Sequence, residues 1–228
     1  MAAHAALVLA PLVPSRIKAS TLVRRAGLSA LVRRTGNFGH VTWLGQPIWQ
    51  NVNDAWVLQE TLVEKDIDLV VECGTNRGGS AYYMASIFDL LGRGRVITLD
   101  IEKLHDLSHP RVEFVIGSSV DPAVFASVQE RVGELQPNHV LVLLDSDHRA
   151  DHVRRELELY SKLVGVGDPM LVQDGCIDEL GMMRSLRPGP LAAIEDFLRA
   201  ERSFVVDEER TNRYLFSHSP KGWLTRVR

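Results

Sequence analysis

The sequence predicts an α/β fold: a Rossmann-like, doubly wound sheet of about seven strands, the last strand antiparallel, with a helical arm at the N-terminus. Three observations predict it. From residue 67 onward, short aliphatic runs alternate with longer amphipathic segments. Successive short runs end in an acid, a glycine or a small polar residue. A glycine-rich turn, Gly74 to Gly79, separates the first run from a helix-like segment. At 228 residues, 45% hydrophobic and 24% charged, the chain has material for one substantial core.

Residues 1–41 read as a basic arm, and residues 42–228 as the main domain. No acid precedes Asp54, whereas Arg16, Lys18, Arg24, Arg25, Arg33 and Arg34 all fall in that stretch. Ile17, Leu22, Val23, Leu28, Leu31 and Val32 recur between the arginines at roughly helical spacing. An amphipathic helix packing on its own domain or on a second copy is expected, hence a homo-oligomer. A membrane-surface helix and a transit peptide are the alternatives. Thr42 to Asn51 is aromatic and turn-rich: Trp43 and Trp49 either line a pocket with Gln50 and Asn51 or close as a lid on the core. Residues 54–65 read as a helix through Ala55, Leu58 and Leu62.

The alternation follows. Residues 67–73 are a strand, with a helix to residue 91. Residues 95–99 are a strand ending at Asp100, and 112–116 a strand closed by Gly117-Ser118-Ser119. Residues 121–132 are a helix, Asp121 capping it ahead of Pro122. Residues 139–144 are a strand ending in Asp145. Residues 150–163 are a helix with Val153, Leu157 and Tyr160 on one face. Residues 170–172 are a strand ending in Gln173-Asp174, 191–202 a helix, and 204–206 and 214–216 strands. The last two lie too close for a crossover helix, so antiparallel pairing is expected.

A net charge of −3 argues against general nucleic-acid binding. Cys73 and Cys176 lie far apart and form no metal-ligand spacing; a reducing, cytoplasmic compartment is expected. No apolar run reaches the length of a membrane span. Ala5 to Val13, broken by Pro11 and followed by Pro14, makes a poor signal peptide.

Ligands of such sheets bind at the carboxyl ends of the strands. Those ends carry Glu72-Cys73-Gly74, Asp100, Gly117-Ser118, Asp145-Ser146-Asp147-His148 and Gln173-Asp174. Any one of them serves as a helix cap; five together point to a site. Asp100 lies 26 residues beyond Gly74, where an acid accepts hydrogen bonds from ribose hydroxyls. The second glycine of a dinucleotide fingerprint would sit at Asn76, so a ligand without a pyrophosphate is expected. Asp147 and Asp174 end neighbouring strands and are expected to converge, with Gln173 beside them, as hard oxygen ligands for Mg²⁺. Helix capping is the alternative for both aspartates. His148 reads as a general base or as a structural partner of a carboxylate.

The ordered set Glu72-Cys73-Gly74-Thr75-Asn76-Arg77-Gly78-Gly79-Ser80, Leu144-Asp145-Ser146-Asp147-His148 with His152-Val153 and Glu156-Leu157, Gln173-Asp174, Arg187-Pro188-Gly189-Pro190 and Pro220-Lys221-Gly222-Trp223-Leu224 resembles the cephalosporin hydroxylase / rhamnosyl O-methyltransferase family. The likeness covers residues 42–228. It implies a class I, S-adenosylmethionine-dependent O-methyltransferase that needs Mg²⁺. Glu72, Gly74, Thr75, Gly78 and Ser80 would hold the methionine part, Asp100 the ribose, and Ser118 and Asp121 the adenine side. Asp145 is also placed on the cofactor side. Asp147, Gln173 and Asp174 would hold the metal, with Asp147 and His148 at the chemistry. Gln173 stands where the family often has an acid. Catechol-type methyltransferases carry a lysine three residues after their first metal aspartate. Counted from Asp147 that position is Ala150, which leaves His148 or metal-lowered hydroxyl acidity to serve.

The expected acceptor is a small molecule, a sugar or polyol hydroxyl on a glycolipid or natural product, and the arm would suit a membrane-borne one. Trp43, Trp49 and the loop from Cys176 to Pro190, with Met182 and Met183, would shape its pocket. Two alternatives stand beside this reading: a hydroxylase on the same site, disfavoured because no 2-His-1-carboxylate spacing is visible, and a catalytically weak S-adenosylmethionine-binding protein.

Overall fold

Side chains alternate across each strand, and this sorts the core into two layers. The structure, a computed structural model, describes residues 26, 27, 29, 30, 37–181, 183–214 and 216–228. Most of the basic arm and Met182 therefore lie outside the described residues.

A short hairpin opens the described domain, β1 (Thr42–Trp43) against β2 (Gln46–Pro47), followed by helix α1 (Val52–Glu64). The central sheet has seven strands: β3 (Leu69–Cys73), β4 (Arg95–Asp100), β5 (Val112–Ile116), β6 (Val140–Leu144), β7 (Pro169–Val172), β8 (Phe204–Val206) and β9 (Trp223–Arg226). Their order is β5-β4-β3-β6-β7-β9-β8. The five strands β3 to β7 are parallel, and β9 runs antiparallel between β7 and β8. The longer helices that follow are α2 (Gly79–Leu91), α3 (Pro122–Leu135), α4 (Ala150–Tyr160) and α5 (Pro190–Ala200), and short helical turns occur at Asn37–His40, Cys176–Leu180 and Glu208–Thr211. The chain leaves β3 toward β4 and β5, then returns to the other side of β3 at β6. This reversal opens a crevice beyond the carboxyl ends of β3 and β6.

Leu69, Val71 and Cys73 of β3, with Val142 and Leu144 of β6, face Phe125, Val128, Val153, Leu157, Tyr160 and Ile194. Val70, Leu141 and Leu143 face the other way, onto Leu58 and Leu62 of α1 and Met84 and Phe88 of α2. Each fully buried side chain of this kind contributes roughly 1.5–3 kcal/mol.

Two expected boundaries move. The final strand is Trp223–Arg226; of the expected strand 214–216, Tyr214 and Phe216 are not in a strand and Leu215 lies outside the described residues. Trp223 and Leu224 are fully buried between β7 and β8, and Gly222 passes so close to β7 that a β-carbon there would lie 2.1 Å from the Val172 carbonyl oxygen. The stretch expected as a strand instead leads into a loop over α1. The Phe216 carbonyl accepts from the Asn51 and Asn53 amides, and the His218 N–H donates to Asp54 Oδ2 at 2.7 Å. The α4 helix ends at Tyr160, and its last turn tightens to a 3₁₀ turn over Ser161–Leu163.

Candidate active site

The glycine turn after β3 is tight because its neighbours leave no room. Gly74 has φ +100°, and a β-carbon there would sit 2.1 Å from the Asp145 carbonyl oxygen. Gly78, at φ +77°, caps the start of α2 in the left-handed region. A β-carbon on Gly79 would meet the Pro47 carbonyl oxygen at 2.1 Å, which seats the hairpin against the turn. Asn76 donates its N–H to Asp100 Oδ2 at 2.8 Å, and Ile101 donates to Oδ1 at 2.7 Å. Asp100 is thereby fixed beside the turn, with acceptor capacity left on both oxygens.

Below the turn lies Glu72, fully buried. Thr98 donates to its Oε2 at 2.6 Å, and the Thr75 and Thr98 hydroxyls are 2.6 Å apart. Burial pushes the Glu72 carboxyl up to about 7, against the pull of the Ser80 and Thr98 hydroxyls.

The acidic centre is not the pair expected from the sequence. Asp145, His148 and Asp174 gather with one ligand atom each within 4.8 Å of the others, and Asp147 lies outside the group. Asp147 accepts from the Arg149 backbone N–H at 2.9 Å and pairs with its guanidinium at 2.5 Å. Burial acts upward on its carboxyl, but Arg149 outweighs it and holds Asp147 below the usual carboxylate range. The reason is the step of the chain: Asp145 is the first residue past β6 and its backbone still bonds Cys73, whereas Asp147 is two residues farther into the loop. Counting three residues from Asp145 lands on His148, so the position expected to hold Ala150 holds an imidazole. His148 Nε2 stands 3.2 Å from Asp174 Oδ2. Asp174 adopts φ +58°, a strained conformation for a residue with a β-carbon.

Gln173 lies directly behind. It forms a reciprocal amide pair with Gln50: Gln50 Nε2 donates to Gln173 Oε1 at 2.7 Å, and Gln173 Nε2 donates to Gln50 Oε1 at 2.8 Å. Both amides also reach Asp145. Gln50 Nε2 donates to Asp145 Oδ2 at 3.1 Å, while the Gln173 oxygen approaches the same Oδ2 to 2.6 Å. Turning the Gln173 amide makes it a donor to Asp145 Oδ2 at 2.6 Å, and its oxygen then accepts from Gln50 Nε2 at 3.3 Å. In that arrangement both amides offer Asp145 a donor. Burial, then the charges of Asp174, Glu72 and Glu156, push Asp145 well above its ordinary value. Two carboxylates and an amide oxygen, all hard donors, with one imidazole beside them, also fit a divalent cation.

A second polar cluster flanks this centre. His152 Nε2 lies 3.0 Å from Ser119 Oγ, 3.1 Å from Ser146 Oγ and 3.5 Å from Glu156 Oε1. Ser146 donates to the fully buried Glu156 at 2.6 Å. The Glu156 carboxylate raises the His152 imidazole above its ordinary value despite burial. His152 and Glu156 stand in the motif that carries the family resemblance, and their i, i+4 spacing on one face of α4 is the sequence signal for the pair.

One cavity of about 1100 Å³ joins these parts. Gly74, Thr75, Ser80, Asp100, Ser118, Asp145, Asp147, His148 and Asp174 line it, as do Ser119, Ser146, His152, Cys176 and His218. Glu72, Gly78 and Gln173 support it from behind. Asp121 caps α3, accepting from the Ala123 N–H at 2.8 Å. The two tryptophans divide the roles expected of them. Trp49 lines the cavity, and Trp43 packs edge-on to Tyr83 and donates to Ser86 at 2.7 Å.

Known proteins resemble this chain in sequence and in fold. The family model described as Rhamnosyl O-methyltransferase/CmcI matches residues 36–227. A rhamnosyl O-methyltransferase of Mycobacterium tuberculosis (strain ATCC 25618 / H37Rv) is 36% identical over 193 residues, 81% of this chain and 78% of that protein. Its counterpart in Mycobacterium leprae (strain TN) is 31% identical over 202 residues, 84% of this chain and 86% of that protein. A CmcI structure whose name carries Mg and SAM superposes with a TM-score of 0.66 at 19% identity, covering 96% of this chain and 89% of that one. The MycE methyltransferase of the mycinamycin pathway, in complex with Mg and SAH, gives 0.53 at 17% identity, over 90% and 55%. At these identities the two structures bear on the fold. The chain belongs to the rhamnosyl O-methyltransferase/CmcI family, and so is an O-methyltransferase.

Proposed function

We propose that the chain transfers a methyl group from S-adenosylmethionine to a sugar hydroxyl, assisted by Mg²⁺, with His148 as the base. The observation that carries the reading is the placement of His148 and the Asp145/Asp174 pair in the same cavity as Asp100 and the glycine turn. S-adenosylmethionine would supply an activated methyl on sulfur, and Mg²⁺ would supply positive charge that lowers the pKa of a nearby hydroxyl.

The remaining work falls to the protein. Gly74 and the N–H groups opening α2 admit the methionine end, and Asp100 accepts from the ribose hydroxyls. Asp145, Asp174 and the Gln173 oxygen would hold the cation. Trp49, Ile177, Met183 and Leu186 give the cavity an apolar wall against which a sugar ring orients. As the C–O bond forms, the S–CH₃ bond breaks and its electron pair stays on sulfur. The hydroxyl proton passes to the His148 imidazole, whose Nε2 side Asp174 Oδ2 holds at 3.2 Å.

The name of the relatives, 36% and 31% identical, favours a rhamnosyl acceptor over other hydroxyls. The test is methyl transfer from labelled S-adenosylmethionine to rhamnosylated acceptors, with Mg²⁺ and with EDTA. Transfer that EDTA abolishes supports the reading. Full transfer in EDTA removes the cation from it, and no transfer to any rhamnoside removes the acceptor. Asp100→Ala is expected to lose S-adenosylmethionine binding in calorimetry; retained binding takes Asp100 out of the site.

A further inference from the structure

Asp174 belongs to two ligand sets. Its Oδ2 faces His148 at 3.2 Å, and its Oδ1 faces His218 Nδ1 at 3.9 Å. On the His218 side, Asp174, Cys176 and His218 offer an oxygen, a sulfur and a ring nitrogen that all lie within 4.8 Å of one another. We propose that Asp174, Cys176 and His218 form a second cation site, selective for a borderline-soft divalent ion of the Zn²⁺ class and sharing Asp174 with the first. This goes beyond the methyl-transfer reading and does not depend on it.

The geometry is fixed by backbone rather than by an ion. Cys176 donates its N–H to the His218 carbonyl at 3.0 Å, and the His218 N–H is held by the buried Asp54 carboxylate at 2.7 Å. Those two bonds bring together side chains 42 residues apart in sequence, a number no ligand-spacing pattern would flag. The left-handed backbone of Asp174 turns its carboxylate between the two sets.

The donor chemistry selects the ion. Thiolate, imidazole and carboxylate are Zn²⁺ ligands, whereas Mg²⁺ takes oxygens. All three residues line the cavity, so a fourth position stays open to it, as in zinc sites that accept an outside oxygen. The surroundings are anionic, with the carboxylates of Asp174, Asp54 and Glu179 around the Cys176 sulfur. Binding therefore forms an S–metal bond as the S–H bond breaks, and releases one proton to solvent. Because Asp174 serves both sets, a Zn²⁺-class ion here draws on a carboxylate of the first site and weakens Mg²⁺ binding there.

The test is Co²⁺ titration of the full chain without Mg²⁺ or S-adenosylmethionine. A thiolate-to-cobalt charge-transfer band should rise to one equivalent and bleach on adding Zn²⁺, and Mg²⁺ should shift its midpoint to higher Co²⁺ because Asp174 is shared. Cys176→Ser and His218→Asn should each remove it, and Asp145→Asn should keep it. Zn²⁺ should also slow alkylation of Cys176 in the unaltered chain, a readout that needs no variant to fold. Absence of the band, its survival in Cys176→Ser, or unprotected alkylation overturns the site. None of these readouts measures methyl transfer, so failure here and failure of the proposed reaction are separate results.

Discussion

The side-chain amide of Gln173 reaches Asp145 Oδ2 at 2.6 Å, and Gln50 Nε2 donates to the same oxygen at 3.1 Å. Burial and the neighbouring carboxylates nevertheless hold the Asp145 carboxyl well above its ordinary value.

Asp145→Asn and Gln173→Glu are therefore expected to move stability in opposite directions. Asp145 has a raised folded value, so it costs the fold increasingly as pH rises through and above its unfolded value. Asp145→Asn should raise the cation-free melting temperature at neutral pH while removing the heat of Mg²⁺ binding. Gln173→Glu adds a third carboxylate; it should lower the cation-free melting temperature and tighten Mg²⁺ by roughly tenfold through ligand charge. Calorimetry and thermal melts decide, and unchanged Mg²⁺ affinity in both variants would remove Asp145 and Gln173 from the ion.

His148→Asn keeps a polar group of similar size beside Asp174 and removes the base. Methyl transfer should fall roughly 10²–10⁴-fold in kcat. S-adenosylmethionine affinity, read by calorimetry, should stay within about twofold, because His148 faces Asp174 rather than the glycine turn. A kcat within about threefold of the starting protein would assign His148 the structural role.

Glu72 titrates near 7 in the folded chain against a usual value of 4.5. A carboxyl raised in the folded state binds more protons folded than unfolded between those values. Stability should thus fall as pH rises from about 4.5 to about 7 and level off above. Glu72→Gln should flatten that part of the profile, and the full effect at high pH is on the order of 3 kcal/mol. Parallel melts of the two proteins across that window measure it; identical slopes would refute the assignment.

In His152 the sign is reversed. Its folded value is raised, so its contribution is present below the unfolded value and is lost as pH rises through the folded one. The imidazole resonances should titrate above 6.5 and drop toward it in Glu156→Gln. Titration unchanged by that substitution would mean that Glu156 does not charge the ring.

Gly74→Ala combines a left-handed backbone with a β-carbon 2.1 Å from the Asp145 carbonyl oxygen. Backbone strain alone costs about 1–3 kcal/mol, and the clash adds to it. The expected outcome is a lower melting temperature together with loss of S-adenosylmethionine binding; a variant that melts and binds normally would contradict the tight turn.

The sequence by itself determined the parallel core, the glycine turn and the acids at the strand ends. Hydrophobic period and turn chemistry are local: Leu69 to Cys73, Gly74 and Asp100 announce themselves within a few residues. Which acids meet was decided by tertiary structure. Asp145 and Asp147 differ by one step around a loop, and only the register of β6 against β3 and β7 puts Asp145 toward Asp174 and leaves Asp147 to Arg149. The partners of Gln50, Cys176 and His218 were equally illegible, because Gln173 lies 123 residues from Gln50 and His218 lies 42 from Cys176. Such contacts exist only after the hairpin and the C-terminal loop fold over the sheet. The final strand was misplaced for the same reason: burial between β7 and β8, rather than local pattern, selected Trp223 and Leu224.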